Sequence, residues 1–172
     1  AEPPYAYPSL ASLYEQVALD ELDAAIWTRQ IGVDLGGTFF ASQAAVRVMR
    51  RTGGGRIINI GSLLGCIAMP YMALYAATKH AIEGYSESLD HELRNMGIRV
   101  SVIEPAFMKT AIDANSRDAD AKLDEYRDAR IAMDKRLKEM LAVAEDPDAV
   151  ADTVLKVARA ASPKARYTSG SA

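Results

Sequence analysis

A tyrosine and a lysine in this sequence have the types and spacing for proton transfer. Tyr75 and Lys79 stand four residues apart in the run Tyr75-Ala76-Ala77-Thr78-Lys79, and Ser62 follows a glycine thirteen residues ahead of the tyrosine. On a helix, residues four apart share a face with Cβ atoms about 5 to 6 Å from one another, so phenol and ammonium can share a cleft. A free tyrosine hydroxyl titrates near ~10, and a nearby ammonium favours the phenolate. Two unit charges about 4 Å apart at an effective dielectric of about 20 interact by ~4 kcal/mol, or ~3 pK units, which brings the phenol toward ~7, where general acid/base catalysis works best. Taken alone, the spacing is common in helices and reads as a packed tyrosine beside a solvated lysine, just as a serine after glycine reads as a strand end. Its weight comes from the elements around it.

Residues 20–51 carry Leu22, Ile26, Val33, Phe40, Ala44 and Val48 at helical spacings and predict one long helix, interrupted at Gly36-Gly37. Gly53-Gly54-Gly55 then turns the chain into Arg56-Ile57-Ile58-Asn59-Ile60, a β-branched run that reads as a buried strand ending at Gly61-Ser62. A second helix is expected over 71–96, stopped by Gly97, with small residues Ala73, Ala77, Ala81, Gly84 and Ser88 arranged for close approach of a neighbour. The run 98–103, closed by Glu104-Pro105, is a second buried strand, and strand, helix, strand make a right-handed crossover. Leu123, Tyr126, Met133, Leu137 and Met140 mark an amphipathic helix. Asp146-Pro147 is read as N-cap and first turn of a helix with Val150, Val154 and Val157 on its apolar stripe, ending near Ser162-Pro163, and 165–168 as an edge strand.

This ordered set resembles the short-chain dehydrogenase/reductase family. The resemblance runs over most of residues 20–110, through Val33-Asp34-Leu35-Gly36-Gly37-Thr38, Ile60-Gly61-Ser62, Tyr75-Ala76-Ala77-Thr78-Lys79-His80 and Glu104-Pro105-Ala106-Phe107-Met108-Lys109-Thr110. It implies an α/β fold, an incomplete Rossmann-type parallel sheet flanked by helices, and an NAD- or NADP-dependent interconversion of alcohol and carbonyl. In that pattern Tyr75 is the proton donor or acceptor, Ser62 hydrogen-bonds the substrate oxygen, and Lys79 binds the nicotinamide ribose and tunes the tyrosine. Pro105, Ala106, Phe107, Met108 and Thr110 would line the nicotinamide, with Thr110 reaching its carboxamide. The long helices resemble those the family packs between subunits, so a homodimer or tetramer is expected.

Two departures stand inside the pattern. Asp34 occupies the place of an asparagine that anchors a water in the family's proton relay, and an ionised carboxylate only accepts hydrogen bonds where an amide also donates. Asp34 is kept with the catalytic residues on that basis. Ala106 replaces the glycine that usually follows the proline. A larger departure is the phosphate cradle, which must follow a strand and open a helix. Gly53-Gly54-Gly55 does the reverse, so the sequence is expected to be the C-terminal catalytic portion of such an enzyme, beginning mid-protein, and the choice between NAD and NADP is not written in it. The competing reading is a truncated, non-catalytic relic serving as a binding or assembly module through an open sheet edge.

Length and composition set the outer limits. At 172 residues with 49% apolar and 25% charged side chains, residues 1–172 read as a single globular domain, with 1–19 as a loop and 111–144 as a candidate substrate lid of apolar taste. A net charge of -3 gives no basic field for nucleic acid, and no apolar run is long enough to span a membrane. The single cysteine, Cys66, sits in an apolar stretch and reads as a buried small hydrophobe in a reducing, cytoplasmic setting. His80 and His91 have no partners at metal-ligand spacing, and no metal is expected. Asp118, Asp120, Asp124 and Glu125 read as a solvated face, and Trp27 as core or interface.

Overall fold

The computed structural model describes residues 15–110, 117–118 and 122–170. A two-residue strand β1 (Glu15–Gln16) pairs in parallel with β4 (Arg117–Asp118), where a plain loop was expected over 1–19. α1 (Ala24–Gln30) starts at Asp23, whose carboxylate accepts the Ile26 N–H at 2.7 Å as an N-cap. The helix then passes through a π-helical turn, Ile31–Gly36, into α2 (Gly37–Thr52). The expected interruption at Gly36-Gly37 is thus a widening just ahead of the glycine pair rather than a break.

The side of this long helix that is buried differs from the expected one. Ile26, Gln30, Asp34 and Ser42 are buried, whereas Phe40, Ala44 and Val48 of the predicted stripe are exposed, as is Trp27. A polar stripe faces inward because it serves the neighbourhood of α3, described below, and the apolar one is left outside.

α2 ends at Gly53, which takes the left-handed conformation at φ 90°. Gly54 follows at φ 129°, and a Cβ there would stand 2.5 Å from the Gly97 carbonyl oxygen, so only glycine lets the two turns pass. β2 (Gly55–Ile60), α3 (Ala73–Leu93) and β3 (Ile98–Pro105) form the predicted crossover, with Gly55 opposite Ile98 and Ile60 opposite Ile103 in parallel register. α4 (Arg127–Ala142) begins after a 3-10 turn, and of its predicted apolar face Met133 and Leu137 are buried while Leu123 lies exposed before it. α5 (Asp148–Arg159) has Pro147, not Asp146, at the cap position, although the Asp146 carboxylate accepts the Asp148 N–H at 3.0 Å. β5 (Arg166–Ser169) pairs with β3, giving the sheet order β2-β3-β5, all parallel.

The fold is therefore α/β, a three-stranded parallel sheet flanked by helices. Ile57, Ile98 and Val100 of the sheet pack with Leu93 and with Ala45, Val46, Met49 and Leu89 of α2 and α3. Asp90 locks the end of α3 to β3: its buried carboxylate accepts from Arg94, Arg99 and the Val100 N–H at 2.7, 2.8 and 2.9 Å. Among the described residues no helix is long and apolar enough to cross a membrane.

Candidate active site

Ser62 leaves β2 in an extended conformation and caps a short 3-10 turn, Leu63–Gly65, its Oγ accepting the Leu64 N–H at 3.1 Å. The turn lays Leu64 against the start of α3. There Tyr75, only 5% exposed, packs with Leu64, Met72 and Leu137, and Phe107, Met69, Met140 and Leu141 close round this cluster. Residues from β2's end, α3, the segment after β3 and the helix of the candidate lid thus meet at one phenol.

One turn further along α3, Lys79 is buried at 3% exposure. Its Nζ lies over the Tyr75 ring, 5.4 Å from the centroid, and donates to the Ile60 carbonyl at 3.4 Å, two residues ahead of Ser62. Burial lowers the amine below the ordinary lysine value, and the negative charge of Asp34 opposes that shift. Asp34 itself is held inward by the π turn and accepts from the Gln30 side-chain amide and, at 3.4 Å, from Thr78 Oγ1. The same hydroxyl is 2.7 Å from the Tyr75 carbonyl oxygen. The structure accordingly places the buried Lys79 beside both the Tyr75 ring and the charge of Asp34, with Ser62 at the end of the strand whose carbonyl Lys79 touches.

The segment after β3 is pinned from both sides. Ala106 N–H donates to the Ser169 carbonyl and Lys109 N–H to the Glu145 carbonyl, both at 2.8 Å. Pro105 closes the strand, Phe107 reaches the Tyr75 cluster, and Thr110 is exposed, its N–H turned to the Met108 carbonyl at 2.9 Å. Met108 is buried against Gly170, whose added Cβ would meet the methionine Cε at 2.5 Å, so its side chain belongs to that contact and not to the tyrosine's cluster.

Sequence reasoning missed Gln30, fully buried, and Thr78, both of which hold Asp34. Gln30 sits one turn before Asp34, a spacing that was legible once Asp34 was suspected. Cys66 is exposed in this chain, against the burial expected of it, and Trp27 is exposed too, which removes the core place expected of it and leaves the interface one. His80 bonds the Ala76 carbonyl through Nδ1 at 2.8 Å, and the described residues contain no group of His, Cys, Asp or Glu fit to hold a metal. Asp124 and Glu125 are exposed, while Asp120 and most of 111–121 lie outside the described residues.

α4 and the segment before it are tied to the 3-10 turn ahead of α1. Glu21, whose side chain is fully buried, forms an ion pair with Arg130 and accepts the Leu123 N–H at 2.7 Å. Tyr126 meets Tyr71 edge-on with ring centroids 6.0 Å apart, and Tyr71 stands at φ 62°, a strained position for a bulky residue, four residues before Tyr75.

With this geometry in view, comparison with known proteins is direct. The family model for short chain dehydrogenases matches residues 10–121, well over half of the chain, and the chain belongs to that family. It is 32% identical over 119 residues to the trans-4-hydroxycyclohexanecarboxylate dehydrogenase of Sinomonas cyclohexanicum, covering 69% of this chain and 46% of that one. A short-chain dehydrogenase from Streptomyces avermitilis superposes with a TM-score of 0.73 at 21% identity, over 88% of this chain and 54% of the other, a likeness of fold. A gluconate 5-dehydrogenase from Burkholderia cenocepacia, solved with NADP and tartrate, aligns with a TM-score of 0.59 at 31% identity, over 60% of this chain and 41% of the other. The chain spans about half the length of the curated relatives it matches.

Proposed function

We propose that this chain carries the reaction site of an NAD(P)-dependent oxidoreductase that interconverts a secondary alcohol and a carbonyl. The observation that carries the proposal is the buried Lys79 ammonium laid over the Tyr75 ring with Asp34 behind it. In the alcohol-to-carbonyl direction Tyr75 Oη takes the hydroxyl proton, Lys79 stabilises the phenolate that does so, and Ser62 Oγ orients the substrate oxygen. Asp34 keeps the Lys79 proton in place against the cost of burial.

The residues present fit the nicotinamide end of a dinucleotide: Lys79 offers donors for ribose hydroxyls beside the phenol, and Phe107 gives an apolar wall for the ring. When bound, the nicotinamide supplies the hydride chemistry. Gly53 ends a helix and Gly55 opens a strand, so that cluster does not serve the pyrophosphate. The relative named for a cyclic hydroxy acid, together with the apolar cluster of Leu64, Met72 and Leu137, favours a compact alicyclic alcohol as substrate. Fluorescence titration of this chain with NADH and NADPH, followed by turnover with cyclohexanol-type alcohols, tests the proposal. Saturable binding and turnover abolished by Tyr75→Phe are expected, and no binding of either dinucleotide would count against it.

The relic reading rests on a different observation: among the described residues β2 pairs only with β3, leaving one edge of the sheet open. It predicts no dinucleotide binding and association through that edge. The outward apolar face of α2, with Phe39, Phe40 and Val48, and the exposed Ala73, Ala77, Gly84 and Ser88 of α3 support association of like chains in either case. Light scattering is expected to give a dimer or tetramer, and a monomer at high concentration would contradict that.

A further inference from the structure

Behind the reaction site lies a second cluster that the proton transfer does not use. Glu83 stands one turn beyond Lys79 on α3, 5% exposed, and its Oε1 is 2.7 Å from the position a Cβ on Gly61 would take. Glu104, the residue before Pro105 on β3, has a side chain only 10% exposed. Oε1 of Glu83 and Oε1 of Glu104 are both buried without a hydrogen-bond partner, and the two carboxyls converge on one guanidinium nitrogen, Arg166 Nε. The groups that face them are Arg166 from β5, at 3.1 Å from Glu83 Oε2 and 3.9 Å from Glu104 Oε1, and Cys66 from the turn after β2. Arg166 also holds Glu87 of α3 at 2.9 Å, and its own side chain is half exposed.

One half-exposed guanidinium shared among three carboxyls does not neutralise two buried charges, and two carboxylates have nothing to donate to each other. A single proton held between two such carboxyls replaces repulsion with an O–H···O bond and gives buried oxygens that lack a donor a partner. We propose that Glu83 and Glu104 share one proton and act as positioning residues, fastening the helix that carries Tyr75 and Lys79 to the strand that leads into Pro105. The positioning role rests on the reading of Tyr75 and Lys79 as the reaction centre; the shared proton does not. Burial first, then the charge of Glu104, pushes the Glu83 carboxyl above the ordinary glutamate range, and Arg166 opposes this only in part. The Cys66 thiol is raised likewise, by desolvation and then by Glu104 and Glu83.

A carboxyl raised in the folded state contributes its full stability below the unfolded glutamate pKa and loses it as pH rises through the folded value. Glu83→Gln, which keeps a donor where the proton sat, removes that loss. The test is infrared spectroscopy of the unmodified chain at neutral pH, joined to melting curves of the chain, Glu83→Gln and Glu104→Gln from acid to alkaline pH. Expected are a protonated-carboxyl stretch that each variant lacks, and a Glu83→Gln melting temperature above that of the unmodified chain at alkaline pH, by about 3 to 5 °C for each tenfold tightening of the Glu83 proton by the fold. Absence of the band in the unmodified chain, with both variants melting lower at every pH, would mean two carboxylates clamped by Arg166 and would overturn the proposal. In turnover, Glu83→Gln should shed part of the alkaline decline, and a decline unchanged in this variant would overturn the positioning role. Because band and melting need no dinucleotide, a chain that shows both yet never turns over would sink the oxidoreductase reading and leave the shared proton standing.

Discussion

Replacing Lys79 with methionine removes the buried ammonium beside Tyr75 while keeping an unbranched chain of similar bulk, so α3 is expected to stay folded. What disappears is a positive charge 5.4 Å from the centre of the Tyr75 ring. At that separation and an effective dielectric of about 20, a unit negative charge on the phenol is stabilised by about 3 kcal/mol. Expressed as a rate, the loss is about a hundredfold in kcat/KM near neutral pH. The assay is steady-state oxidation of an alicyclic alcohol from about pH 6 to about pH 10, with urea unfolding run alongside. The sign of the pH dependence is also fixed. Burial lowers the Lys79 amine against the opposing charge of Asp34, so it sheds its proton below the ordinary lysine range as pH rises. The advantage over Lys79→Met should therefore shrink toward the alkaline end. A variant that folds normally and works within threefold of the unmodified chain near neutrality, or a ratio that does not change with pH, refutes the electrostatic role and leaves Lys79 as packing.

Asp34→Asn keeps an oxygen for the Gln30 and Thr78 donors but removes the charge that holds the Lys79 proton, so the alkaline decline in turnover should move to lower pH; an unmoved pH profile contradicts this. Asp90→Asn is expected to cost about 2 kcal/mol, less than a fully buried pair because Arg94 and Arg99 are partly exposed, and to lower the melting temperature by about 4 to 8 °C. Burial alone would raise the Asp90 carboxyl, but hydrogen bonds from Arg99 and Val100 and the charges of Arg99 and Arg94 hold it below the ordinary range. Its contribution is present above the unfolded aspartate pKa and fades as pH falls through the folded value, so the variant's deficit, followed by calorimetry, should narrow in acid. Gly61→Ala would press a methyl to 2.7 Å from Glu83 Oε1 and 2.9 Å from Val102 Cγ2, costing about 1 to 3 kcal/mol by urea unfolding, and adding Glu83→Ala should recover part of that.

The crossover unit was legible because its signals are local. Gly53-Gly54-Gly55, the β-branched run, the glycine at 97 and the proline at 105 each mark a boundary within a few residues, and β2, α3 and β3 appear where those marks stand. Tyr75 and Lys79 followed, since a spacing of four on one helix needs no tertiary knowledge. Cys66 was misplaced because an apolar run from Leu63 to Met69 looks uniformly buried, whereas the 3-10 turn buries Leu64 and leaves Cys66 and Ile67 outside. Glu83 was in plain sight one turn past Lys79, but Glu104 and Arg166 join it only through the sheet, and no local pattern announces a pairing across three elements.

The long helix shows most clearly why periodicity alone is insufficient. Ile26, Gln30, Asp34, the half-buried Thr38 and Ser42 recur at a strict spacing of four and form its inner side. On a helix of about 3.6 residues per turn such a stripe rotates by about 40° at each step and would leave the sheet within a few turns. The π turn at Ile31–Gly36 absorbs part of that drift by adding width where Asp34 must face Lys79 and Thr78. Hydrophobic patterning misses this arrangement because four of the five inward residues carry hydrogen-bonding side chains, while the strongest apolar ones, Phe39, Phe40 and Val48, stay exposed. A helix that turns polar groups inward and aromatics outward gives up burial that the opposite rotation would have secured. The arrangement persists because Asp34 is tied to Gln30 and Thr78 on one side, and the proposed association of like chains would cover the outward face on the other.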